Sequence, residues 1–152
     1  MIKQVLKKLV FRYYLIYVAT LLFAAAGFQL HRSGIFIDPQ SVSQTVISSV
    51  LIILIIGSIP FTLSVFSKKT KQWAVIEDVP TKLALYERGS TIRLLIIGSG
   101  FLLGVLFFFL MKPPVSQSMI FCAGISAIAL FFCKPAEVKI ISDLQIEEPN
   151  KY

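Results

Sequence analysis

Apolar residues gather in four long uncharged runs, separated by shorter polar and mostly basic segments. The first, Tyr13 to Leu30, has 18 residues between Arg12 and His31. The second, Gln40 to Ser67, has 28, with its apolar part from Val46 to Phe66. Leu94–Met111 follows with 18 residues and Pro113–Cys133 with 21. A bilayer core of about 30 Å needs roughly 17–25 apolar residues in a helix rising about 1.5 Å per residue. All four runs meet that length, and none alternates like a barrel strand. The pattern predicts an all-α, four-helix transmembrane bundle with spans near 13–30, 46–66, 94–111 and 115–133. The chain reads as one integral membrane domain, 1–152, with a loop at 67–93 and a tail at 134–152.

The segments between spans carry their own signals. Met1–Arg12 is amphipathic, because Ile2, Val5, Leu6, Leu9 and Val10 fall at helical spacing with Lys3 and Lys7 elsewhere. Such a segment can lie among lipid headgroups, with Tyr13, Tyr14 and Tyr17 as an aromatic anchor. The loop is expected to be partly helical. Glu77-Asp78-Val79-Pro80-Thr81 reads as a turn and a helix start, which places the onset of the third helix about three turns before the bilayer. Trp73 marks the membrane surface, and Gly89-Ser90 is a candidate bend. Pro60, in Gly57-Ser58-Ile59-Pro60, removes a backbone donor and is expected to kink the second span. Asp38-Pro39 signals a turn. Lys112-Pro113-Pro114 is so short that the third and fourth spans must be antiparallel neighbours. In the tail, Val138, Ile140, Leu144 and Ile146 fit a period of two, whereas Val138, Ile141 and Leu144 fit a short helix. Either stripe is expected to pack on the loop.

Small residues mark the faces where helix backbones can approach closely. The third span carries Gly98, Gly100 and Gly104, the last two forming a GxxxG pair. The fourth offers Ala123 and Ala127, and the first Ala24 and Gly27. The expectation is packing within the three–four hairpin in preference to homodimerisation.

Composition agrees with a membrane protein. A chain that is 56% hydrophobic and 15% charged, with a mean hydropathy of +0.79, is neither disordered nor an ordinary soluble globule. Its net charge of +7 would suit nucleic acid, but the apolar content points to the bilayer instead. Thirteen Lys and Arg fall in the N-terminal tail, the central loop and the C-terminal tail, against Arg32 and Lys112 alone in the alternate loops. The positive-inside rule then places both termini in the cytoplasm of a bacterial inner membrane. Lys3, Lys7, Lys8, Arg12, Lys68, Lys69 and Lys71 form a rim suited to anionic lipid headgroups. The basic start, apolar run and Ala24-Ala25-Ala26 also resemble a secretory signal. The long apolar run and the lack of a soluble exported domain after it favour a retained span.

Candidate chemistry is sparse. Cys122 and Cys133 would sit roughly 16 Å apart along one helix, too far for a disulfide. His31 is the single histidine and has no companion ligands at metal spacing. No span contains Asp, Glu, Lys, Arg or His, the groups that pumps, coupled exporters and voltage sensors require. Small multidrug transporters have a similar build but rely on a membrane-buried glutamate. Motifs for zinc proteolysis, a serine elbow, nucleotide binding or haem are absent. Glu77, Asp78 and Glu87 are expected to pair locally with Lys82, Arg88 or Arg93.

These absences leave a non-catalytic scaffold or accessory subunit without cofactor, metal or nucleic acid, assembling with itself or with a larger membrane complex. A carrier or pore for a neutral or apolar solute, working around Pro60, is the alternative. The membrane glutathione-transferase family is an outside alternative. Arg12, Arg88 and Arg93 lie at the right level for it, but its buried polar motif is missing. Pro80-Thr-Lys-Leu-Ala-Leu-Tyr86, Ile92-Arg93, the glycine-rich third span and Lys134-Pro135…Lys139-Ile-Ile-Ser-Asp-Leu144 together resemble uncharacterised small four-span membrane proteins of Bacteroidota. The resemblance covers roughly the second half of the chain and carries over no catalytic residues.

Overall fold

The computed structural model describes residues 1–37 and 42–146, which form five helices and no strand. They are α1 (Ile2–Arg32), α2 (Val42–Ala74), α3 (Val79–Leu110), α4 (Val115–Phe132) and α5 (Glu137–Leu144). The first four are long and apolar enough to cross a membrane. The expected Asp38-Pro39 turn, and the tail beyond Ile146, lie outside the described residues.

Helices outrun the apolar stretches at one end of the bundle. α2 continues through Lys68, Lys69 and Lys71 to Ala74, and α3 starts well before Leu94. The segment 67–93 is therefore two helical extensions joined by a turn at 75–78, more helical than expected. Asp78 explains the restart: its carboxylate accepts the Thr81 N–H at 3.0 Å and the Thr81 hydroxyl, while Pro80 occupies the first turn. Residues 2–12 likewise belong to α1 without a break, with Met1 as the N-cap.

α3 is the central helix, in contact with α1, α2 and α4, while α4 also meets α2. At Gly104, α3 and α4 approach closely. A Cβ there would lie 3.0 Å from both the Cβ and the backbone nitrogen of Ala123. At Gly100 it would meet the Ser126 hydroxyl at 3.2 Å and Ile55 at 3.3 Å, so that glycine serves α4 and α2 together. Gly98 faces Ile16 of α1, and Gly27 of α1 faces Phe109 of α3. Ala24 is half-buried beside an apolar recess between α1 and α3, and Ala127 is half-buried on α4.

Both expected irregularities fall within continuous helices. The α3 assignment runs unbroken through Gly89-Ser90. Gly89 seats the Trp73 ring, because a Cβ there would collide with Trp73 Cη2. α2 is likewise continuous through Pro60, which is exposed.

The interior has two parts with different physics. Among the spans, Tyr13, Ile59, Leu94, Ile97, Ala129, Leu130 and Cys133 are buried together. Beyond them, at the basic end, Leu9, Phe66, Leu83, Tyr86, Ile140 and Leu144 form a second cluster, flanked by Ile2, Val5, Leu6 and Trp73. The apolar face of the N-terminal segment thus packs on protein rather than facing headgroups. The tail forms the short helix α5, whose Ile140 and Leu144 pack with Leu83 and Tyr86 of the loop segment, with Ile146 against them, while Val138 is 78% exposed. Outside both clusters, large side chains such as Leu21, Ile53, Phe61 and Phe121 are about 70% exposed, as lipid-facing surfaces are.

Candidate functional site

Polar chemistry concentrates where the extensions of α1, α2 and α3 meet α5. Glu87 of α3 holds Arg12 Nη1 at 3.0 Å and Lys8 Nζ at 3.5 Å, both from α1. Arg12 also donates to Thr91 Oγ1 at 2.6 Å. The expected local pairing of Glu87 with Lys82, Arg88 or Arg93 is corrected: its partners come from α1, brought level because α1 and α3 run parallel from the same basic end. Lys8 and Arg12 are therefore partly neutralised, whereas Lys3, Lys7, Lys68, Lys69 and Lys71 are exposed.

Lys82 is only 6% exposed, and its ammonium donates to Ala74 O at 3.1 Å and Leu144 O at 3.4 Å. Those carbonyls end α2 and α5, where helix dipoles present negative charge. Tyr86 donates its hydroxyl to Asp143 at 3.0 Å, joining α3 to α5. Burial, with the Asp143 carboxylate beside it, raises the Tyr86 phenol above its ordinary range. Lys139 donates to Phe132 O at 2.6 Å.

Arg93 stands apart from these ties. Its guanidinium carbon lies 3.8 Å from the centre of the Phe66 ring, and no carboxylate among the described residues pairs with it. Its Nε is buried without a hydrogen-bond partner among the described residues, as is the Thr62 hydroxyl. Both residues line a groove of about 130 Å³ between α2 and α3, with Lys69, Trp73 and Gly89 at one end and Phe61 and Ile96 among its walls. Behind Phe66, a more polar recess of about 240 Å³ is shared by Arg93, Ser67, Thr70, Lys139 and Asp143. This arrangement escaped the sequence reading. Its signal was the spacing Thr62, Phe66, Lys69, Trp73, which puts a hydroxyl, an aromatic ring, a cation and an indole on one helix face.

Four hydroxyls in the spans bond to their own helix, whereas those of Thr62 and Ser126 are buried without a partner among the described residues. Thr20, Ser48, Ser58 and Ser99 donate to Ile16, Thr45, Ile55 and Ile96 carbonyls at 2.8–3.0 Å. His31, at the opposite end, is exposed and within 3.1 Å of Phe109 O. Cys122 and Cys133 are buried free thiols. Among the described residues, no three His, Cys, Asp or Glu side chains converge to hold a metal ion.

Comparison with protein-family models, curated proteins and solved structures finds no match to this chain. The likeness to Bacteroidota membrane proteins stays an expectation. What the fold does establish is a polytopic helical protein with four membrane-length apolar helices.

Proposed function

We propose that this chain is a non-catalytic, multi-pass protein of the bacterial inner membrane, with both termini cytoplasmic, that acts as a scaffold or accessory subunit through helix packing. The observation that carries the reading is the bonding of four span hydroxyls. Thr20, Ser48, Ser58 and Ser99 are satisfied by carbonyls three or four residues earlier, the pattern of helix-bonded side chains rather than of a shared polar route. A carrier working around a broken helix would turn the break toward a cavity, and Pro60 is exposed. The glutathione-transferase-like alternative loses Arg12, which is engaged by Glu87 and Thr91, and lacks the family's buried polar motif. With Gly27, Gly98, Gly100 and Gly104 facing neighbours inside the bundle, contacts to a second copy or a larger membrane complex fall to the outer apolar faces.

Reconstitution into proteoliposomes is the test. The scaffold reading expects no saturable, gradient-driven solute flux. Flux that disappears on Pro60→Ala or Gln29→Ala would replace it with the carrier.

A further inference from the structure

We propose that the groove between α2 and α3 binds one anionic phospholipid, with its phosphate on Lys69 and Arg93 and an acyl chain along Phe61 and Ile96. Three independent observations converge on that occupant. The first is charge. Lys69 and Arg93 line the groove together, no carboxylate lines it, and neither cation has an ion-pair partner among the described residues. The nearby acids are engaged elsewhere, Glu87 by Lys8 and Arg12 and Asp143 by Tyr86.

The second is unmet hydrogen bonding. Arg93 Nε and Thr62 Oγ1 are buried with no partner among the described residues, and Thr62 is only 6% exposed. Buried polar groups in native proteins are overwhelmingly satisfied, so a groove lined by two that are not is suited to an acceptor-rich ligand. The guanidinium carbon of Arg93 lies over the Phe66 ring at 3.8 Å, and a guanidinium's planar fork matches phosphate oxygens.

The third is the polarity gradient along the groove. Lys69, Arg93 and Trp73 occupy the end nearer the basic surface. Phe61 and Ile96 lie on the side of the spans, Phe61 being 70% exposed on the outer surface of α2. A ligand filling this space must be anionic at one end and apolar at the other. That excludes a free phosphate or nucleotide and selects a lipid entering sideways from the bilayer. This inference stands whether or not the protein is a scaffold.

Trp73 is the only tryptophan and lines the groove, so it reports occupancy directly. The full chain is placed in phosphatidylcholine vesicles, and phosphatidylglycerol or phosphatidylcholine with brominated chains is titrated in. Brominated phosphatidylglycerol should quench Trp73 at a mole fraction about fivefold lower per groove cation than brominated phosphatidylcholine. Lys69→Gln, at an exposed position that leaves the fold intact, should narrow that difference, and adding Arg93→Gln should abolish it. Arg88→Gln with Lys134→Gln removes the same charge outside the groove and should preserve the difference, and inorganic phosphate should leave both curves unmoved. Equal quenching by the two lipids in the native protein would overturn the proposal. So would a full preference retained by Lys69→Gln, loss of preference in the Arg88 and Lys134 variant, or displacement by phosphate.

Discussion

Gly104 and Gly124 sit on the same helical hairpin in opposite surroundings. A Cβ at Gly104 meets Ala123 backbone at 3.0 Å, whereas one at Gly124 meets nothing within 4 Å. Backbone cannot swing aside as a side chain can, and overpacking a tight contact costs about 1–3 kcal/mol. Gly104→Ala should therefore lower the melting temperature in detergent, while Gly124→Ala should leave it unchanged or raise it, since alanine is the better helix former. Equal effects at both sites would mean that α3 and α4 do not touch at Gly104. The sequence marked Gly98, Gly100, Gly104 and Gly27 as residues for close approach because small side chains have little other use in a lipid-facing helix. It could not say which neighbour each one meets. Ile16, Ile55, Ala123 and Phe109 become neighbours only through helix rotation, which a run of nearly uniform apolar residues leaves unspecified.

At the scale of elements, the spans were legible and their ends were not. Hydrophobic length locates a membrane helix, but it is silent about where the helix stops once it leaves lipid. α2 persists to Ala74 and α3 begins at Val79 because water-side contacts sustain them: Trp73 against Gly89, Leu83 and Tyr86 in the second cluster, and the Asp78 cap. The fate of the N-terminal segment has the same cause. A face of Ile2, Val5, Leu6 and Leu9 suits a lipid surface and a protein groove alike, and only the presence of Phe66, Ile140 and Leu144 decides between them. Lys82 is the tie across these elements, since it closes the carbonyl ends of α2 and α5 from α3. Lys82→Met keeps the stem and removes the ammonium. Hydrogen bonds to a charged group are worth about 1.5–3 kcal/mol, so this change should free α5 before it unfolds the spans. Limited proteolysis should then cut near Leu144 markedly faster, with the melting of the spans little changed. Unaltered cleavage would show that the apolar contacts of Ile140 and Leu144 hold α5 alone.

For the whole molecule, the ends of the bundle differ in kind. The basic end joins α1, α2, α3 and α5 through Glu87, Lys82 and the Tyr86–Asp143 bond. The other end is held by lighter contacts, such as His31 to Phe109 O and Ile37 N–H to Leu110 O. The proposed cytoplasmic placement of the basic end can be read by labelling. Val75, 82% exposed in the α2–α3 turn, is an open probe position, and the native Cys122 and Cys133 are buried. Val75→Cys should react with a membrane-impermeant maleimide only after cells are opened, and Gly34→Cys should react from outside. The reverse pattern would invert the topology. The central claim is that the protein works by assembling, and native mass spectrometry of the chain extracted gently from its own membrane addresses that most directly. The expected result is a defined particle larger than the 17.0 kDa chain, with a second copy or another membrane protein in fixed stoichiometry. A homogeneous monomer carrying nothing but lipid would contradict it.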